Sequence, residues 1–324
     1  MRRRRMLLAL LLAAGCAAIP SWAQQGGSVP IVGMLVTHPP VDAPVVQALR
    51  SGLRKFGYED GRNVKLEVRT ALGHLDRVPA LARELVQQRV AVIVVVNEVA
   101  LRAVQQATST IPIVMIGWTA DPVALGVIES YRRPGGNVTG FFSMPSELVG
   151  KRLEILKETL PGVSRVAVLW DGFGRMQLDA LAAAAESLDL RLEPVEFRRP
   201  EDLAAAFATA KRKKIGAVLM AWSPVFYVDR ERVARLALQA GLPTVTDSDV
   251  IVEAGCLVSY GFSVLDNFER AGYFVDRILR GAKPGELPVE QIARLVLAVN
   301  LKTANALGVV IPESILLRAD LVIR

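Results

Sequence analysis

The sequence predicts an α/β protein of two lobes, each a parallel sheet with helices on both faces. Three observations carry this. Short runs rich in β-branched residues, such as Ala91–Val96 and Ile215–Ala221, are apolar throughout, as strands covered on both faces are. Amphipathic segments of ten or more residues separate them, which is the pattern of parallel crossovers. The alternation also runs twice along the chain, with a join near Gly140–Gly150.

The elements follow in order. Pro30–Val36 reads as a buried strand and Asp42–Phe56 as a helix, with Val45, Val46, Leu49, Leu53 and Phe56 on one face and Gly57 ending it. Val64–Val68 alternates like a strand with one wet face. Leu75, Val78, Leu81, Leu85 and Val86 mark the next helix. The Ala91–Val96 strand, a helix over Glu98–Ala107 and the strand Ile111–Ile116 complete the first run. A helix is expected from Asp121-Pro122 through Ile128. In the second run, strands at Arg165–Trp170, Arg191–Phe197, Ile215–Ala221 and Pro243–Thr246 alternate with helices at Met176–Leu188, Glu201–Lys213 and Val228–Ala240. Cys256–Phe262, Asn267–Leu279 and Leu295–Leu307 add a strand, a helix and a strand-helix pair that fit either lobe. The expected division is 29–141 plus about 263–285 in one lobe, and 142–262 plus about 286–324 in the other.

Residues 1–23 precede this pattern. Four arginines, the apolar run Leu7–Ala14 and Ser21-Trp22-Ala23 have the three parts of a secretory signal peptide. The apolar run is shorter than the about 20 residues that span a bilayer. Ala13-Ala14-Gly15-Cys16 resembles a lipobox, although Leu usually stands where Ala13 does, so a soluble exported protein is expected over one anchored through Cys16. The leader carries four arginines and no acid, so the net charge of +7 for the whole chain falls to +3 without it. A balance that mild does not suggest a nucleic-acid partner. The tight basic cluster Lys211–Lys214 reads as the end of an alanine-rich helix, where cations complement the dipole. Cys256 is then the single cysteine left, in an apolar run, and is expected to be a small buried hydrophobe.

Motifs of catalysis and of cofactor binding are missing. The sequence has no glycine-rich dinucleotide or phosphate loop, no paired cysteine or histidine metal spacing and no nucleophile elbow. Only two histidines are available for a triad. The expectation is a non-catalytic protein with no cofactor and no metal. Asn137-Val138-Thr139 fits a glycosylation acceptor but sits in a turn setting.

In open parallel sheets, ligands bind beyond the carboxyl ends of strands. The candidate ligand residues are therefore those that end or follow each strand: Thr37 and His38, Asn97 and Glu98, Trp118 and Asp121, Trp170 and Asp171, Trp222 and Ser223, and Asp247. Trp suits small-molecule pockets, being large and amphipathic. Each of the three could equally pack the core. Asp121, Asp171 and Asp247 read first as caps or turn residues, and each can also contact a ligand. His38 could equally face solvent.

The stretches DPVALGVIESYRRPGGNVTG (121–140), YGFSVLDNFERAGYFVDRILRGAKPGELPVEQ (260–291) and NLKTANALGVVIPESILLRADLVIR (300–324) resemble the periplasmic substrate-binding proteins of ABC transporters. That family includes tryptophan-binding homologues. The resemblance implies the type I periplasmic binding protein fold: two Rossmann-like lobes, several crossover strands and a ligand in the cleft. It further implies that Asp121-Pro122, His38 and Asp247 line that cleft. Asn97-Glu98 departs from the small pair found in many relatives and would place a charge at a contact position. The expected function is a monomeric solute receptor that closes on an amino-acid-like or aromatic molecule and hands it to an inner-membrane ABC permease. Presentation to a membrane sensor, or a secreted enzyme on the same scaffold, are the alternatives.

Overall fold

A computed structural model describes residues 29–37, 43–118, 121–142, 145–172, 175–292 and 294–324. The expected leader, Cys16 and His38 lie outside the described residues.

The first run folds as β1 (Ile31–Val36), α1 (Pro44–Lys55), β2 (Lys65–Thr70), α2 (Val78–Gln87), β3 (Val92–Val95), α3 (Glu98–Ala107), β4 (Ile113–Trp118) and β5 (Val138–Phe142). The second comprises α4 (Pro145–Thr159), β6 (Arg165–Trp170), α5 (Arg175–Ser187), β7 (Arg191–Glu196), α6 (Leu203–Arg212), β8 (Ala217–Met220), α7 (Pro224–Val228), α8 (Arg230–Ala240), β9 (Thr244–Thr246), α9 (Asp249–Glu253) and β10 (Val258–Phe262). Then come α10 (Val264–Leu279), β11 (Glu290–Gln291), β12 (Leu295–Asn300), α11 (Leu301–Leu307), α12 (Glu313–Arg318) and β13 (Leu321–Ile323).

Two sheets result, ordered β11-β5-β4-β3-β1-β2 and β13-β12-β10-β9-β8-β6-β7. Their central strands β1, β3, β6 and β8 are buried along almost their whole length, which is why they read as unbroken apolar runs. The fold is the two-lobed α/β architecture that the alternation predicted.

The chain crosses between the sheets three times: after β5, at Ser263 and between β11 and β12. Every crossing leaves from the carboxyl end of a strand. This explains the one antiparallel pairing among the described residues, β10 with β12. The chain departs at the end of β10 and returns at that same edge, so β12 must run the opposite way. The third crossing falls later than the expected switch near 286, because Glu290 and Gln291 pair with Phe141 and Phe142 of the first sheet.

Two expected helices differ. Residues 121–128 form turns and no helix: Leu125 and Val127 donate to the carbonyls of Asp121 and Pro122, and Gly126 at φ +66° ends the run. The helix expected over Val228–Ala240 is broken at Asp229, where ψ of 21° leaves the helical region and separates α7 from α8.

Helix α10 returns to the first lobe and packs across α1. The contact is backbone against backbone: a Cβ on Gly52 would sit 2.0 Å from the Glu269 carbonyl oxygen, and one on Gly272 would sit 2.4 Å from the Gly52 carbonyl carbon. The remaining face of α10, with Phe268, Ala271, Phe274, Val275 and Ile278, completes the core over β1, β3 and β4.

Candidate ligand-binding site

The carboxyl ends of the two sheets face one another across a cavity of about 150 Å³. From the first lobe, Thr37 follows β1, Val96 and Asn97 follow β3, Ile116 belongs to β4 and Val45 to α1. From the second, Trp222 and Ser223 follow β8, and α7 contributes Pro224, Tyr227 and Val228. Helix α10 closes one side with Val264, Asn267 and Phe268.

Asn97 and Ser223 are each positioned by a helix start. Asn97 caps α3, its Oδ1 accepting from the Ala100 N–H at 3.0 Å, while its Nδ2 donates to Thr37 Oγ1 at 2.8 Å. One amide thus links the ends of β1 and β3. Ser223 caps α7 by accepting from the Val225 N–H at 3.1 Å and donates to Asp171 Oδ2 at 2.6 Å. Asp171 is 6 % exposed, so this hydroxyl meets a buried carboxylate. The backbone N–H of Trp222 donates to Gln177 Oε1 at 3.3 Å.

Tyr227 joins the lobes. It packs against the core of the first lobe and also against that of the second. Burial pushes its phenol up to about 12, with Asp249 and Glu253 adding to the rise and Arg230 opposing it. The Arg230 guanidinium lies 6.0 Å from the ring centroid.

The cavity gathers Thr37, Asn97, Trp222 and Ser223 of the expected residues, and Asp171 through Ser223. Others stand elsewhere. Trp170 packs on the core of the second lobe. Glu98 is exposed and pairs with Arg102 one turn on at 2.6 Å, so its charge is met at solvent. Asp121 is exposed too: its Oδ1 accepts from Val123 N–H at 2.9 Å and from Tyr131 Oη at 2.7 Å. The Tyr131 bond chiefly holds the Asp121 carboxyl below its ordinary value. Asp247 follows β9 at the cleft edge and accepts from Thr246 Oγ1 at 3.2 Å. Trp118 ends β4, and its side chain lies outside the described residues, as does His38.

Sequence reasoning missed Tyr227, Asn267, Phe268 and Arg152. Arg152 is 3 % exposed and lies on α4, which packs over β9 and β10. Its Nε donates to the Tyr260 carbonyl at 2.8 Å. Val149, Leu153 and Leu156 share its buried face, so an arginine inside an apolar helical stripe was the available signal.

A larger hollow of about 750 Å³ lies beside the crossings. Its six charged residues pair among themselves: Lys55 with Glu269, Arg270 with Glu290, and Arg294 with Asp266. That leaves little net field for a charged ligand. Among the described residues no cluster of three or more His, Cys, Asp or Glu could hold a metal ion.

Residues 29–323 match the family of ABC transporter substrate binding proteins. The chain belongs to this family. Its members and homologues bind solutes and are not enzymes. A tyrosine-binding protein of Clostridioides difficile (strain R20291) is 24% identical over 279 residues, 85% of this chain and 79% of that protein. An ABC domain crystallised with L-Trp from Streptococcus pneumonia superposes with a TM-score of 0.80 at 25% identity, over 91% of this chain and 100% of the other. A conserved domain protein of Vibrio cholerae gives a TM-score of 0.81 at 27% identity, over 91% of this chain and 100% of its own.

Proposed function

We propose that the protein is the exported solute receptor of an ABC uptake system and binds an amino-acid-like ligand with an aromatic side chain. The observation that supports this is the cavity itself: its walls come from the strand ends of both lobes and from α10 and are mostly aliphatic or aromatic, with a few polar groups, Thr37, Asn97, Ser223 and Asn267, among them. A pocket of that composition suits a flat apolar group whose orientation is fixed by a few hydrogen bonds. The tyrosine- and tryptophan-binding relatives favour the same class.

Transport needs a signal that ligand is on board. The moving bodies in this reading are residues 29–141 with about 263–291, and 142–262 with the chain beyond the third crossing. They close about the three crossings, and the permease of the inner membrane receives the closed form. The leader at 1–23 delivers the protein to the periplasm, where it acts as a monomer.

Trp222 is the tryptophan side chain that lines the cavity among the described residues. Titration with L-tyrosine should therefore change the intrinsic fluorescence of the natural protein. Trp222→Phe should remove most of that change, and Trp170→Phe should keep it. A Trp222→Phe protein that responds as before would take Trp222 out of the site. Absence of binding by both L-tyrosine and L-tryptophan would overturn the aromatic class.

A further inference from the structure

The cavity is too small for a whole ligand. Small-molecule sites run to about 300–1,000 Å³, whereas a cavity of about 150 Å³ holds a group the size of benzene. The aromatic side chain of the proposed ligand fits there, and the rest of the molecule needs space elsewhere.

The hollow of about 750 Å³ supplies that space. Asn267 lines both it and the cavity, so the two adjoin at this residue. Val264 and Phe268 face the cavity at the start of α10, while Asp266, Arg270 and Tyr273 line the hollow. The last three are spaced by four and three residues, so they form one stripe of the helix. The hollow is therefore a groove that follows α10 from Asn267 to Tyr273. The helix rises about 9 Å between those residues, which is the span of about three extended peptide residues. Phe56 and Ile292 give the groove apolar walls, and its charges neutralise one another in pairs. A neutral chain suits such a lining.

The polar group at the joint is uncommitted. Thr37, Asn97 and Ser223 are engaged with other side chains or with helix caps. The Asn267 carboxamide makes no hydrogen bond among the described residues; only its backbone N–H is used, donating to the Ser263 carbonyl. It therefore offers both an acceptor and N–H donors. An extended peptide residue presents its own N–H and C=O on the same side. One carboxamide can accept from the first and donate to the second.

We propose that the groove along α10 is a second subsite and that the protein takes an aromatic residue in peptide linkage. The ring occupies the cavity, the backbone amide meets Asn267, and the neighbouring residue lies in the groove. This rests on the reading that the cavity holds an aromatic side chain, and it extends the substrate class from free amino acids to short peptides.

The test is calorimetric titration with L-tyrosine, L-tryptophan, glycyl-L-tyrosine and L-tyrosylglycine. At least one dipeptide should bind the natural protein about 10-fold more tightly than L-tyrosine does, as one added hydrogen bond and its contacts allow. Asn267→Leu should erase that preference, because leucine keeps the shape of asparagine and lacks its amide. Two groove variants act away from the cavity. Gln291→Trp fills the groove from the exposed side of β11, and Tyr273→Ala removes its far wall. Both should lose the preference while binding L-tyrosine as the natural protein does, which also shows that they are folded. Dipeptides that bind the natural protein no more tightly than L-tyrosine overturn the inference and leave the aromatic class standing. A preference that survives Asn267→Leu, or that survives both groove variants, overturns it as well. No binding by any of the four probes overturns the aromatic class, and the inference with it.

Discussion

Asn97 uses its amide in two directions, and the two can be separated. The Oδ1 cap on α3 is worth about 1 kcal/mol, and the Nδ2 bond to Thr37 adds about 1 kcal/mol as a typical buried hydrogen bond. Asn97→Ala should therefore destabilise the protein by about 2 kcal/mol in urea melts. Asn97→Asp should recover the cap contribution, since Asp is as good a cap. Equal losses in both variants would mean that the cap contributes nothing. Cys256 makes a second residue-scale case. It is fully buried, and desolvation pushes its thiol up to about 12 against the Thr244 hydrogen bond that opposes it. The native thiol should ignore Ellman's reagent at pH 8 and react once the chain is unfolded. Because the folded value is the higher one, stability is intact below the unfolded thiol's value of 9.0 and falls as pH rises from there toward about 12. A native thiol that reacts at the unfolded rate would contradict its burial. Such side chains were only half legible in advance. Asn97 and Ser223 stood out because polar caps follow apolar strands. Arg152 did not, because the groups it faces, the Tyr260 carbonyl and Asp247, are about a hundred residues away along the chain.

At the scale of elements, periodicity located most central strands and long helices, since burial on one or both faces is written into the residue order, but it passed over β5 and α4 at the join between the two runs. It failed where backbone geometry decides. The segment after Asp121 has helix-start chemistry, with Asp at the cap position and Pro next, yet the left-handed Gly126 turns it away within one turn. The short strands β11 and β13 carry too few residues to show a period, and their strand state comes from the neighbours they pair with. The α1–α10 crossing is another feature of pairing alone. Gly52 and Gly272 let the two helices approach until the backbones touch. Replacing either by Ala should cost about 1–3 kcal/mol, the range for overpacking a core, because carbonyl groups cannot rotate aside as side chains can. Gly162→Ala is the control, having open space where its Cβ would go and no left-handed φ. Thermal melts of the three variants check this. A Gly52→Ala protein as stable as Gly162→Ala would mean that α10 can shift along α1 at little cost.

For the whole molecule, the proposed closure takes place about the three crossings. All three leave from the edges that border the cleft, and the Arg294–Asp266 ion pair at 2.8 Å connects the second crossing to the third. In that proposal, rotation about the crossings would move one sheet's strand ends against the other's while leaving each core packed. Tyr227 is the described residue of the cavity that already touches both cores, so its contact should be broken first on opening and remade on closing. A ligand that touches both lobes favours the closed form by its differential affinity for it. Two measurements should then move together on adding L-tyrosine. The melting temperature should rise with ligand concentration, reaching a stabilisation of about 2.7 kcal/mol at a hundredfold excess over Kd. The radius of gyration from small-angle scattering should fall over the same concentration range. Tyr227→Ala should leave the unliganded protein more open and weaken binding, because more of the ligand's contact energy is then spent on closing the lobes. A melting temperature that rises while the scattering stays constant would mean that the cavity binds without hinge motion, and the lobes would then be a fixed frame around the ligand.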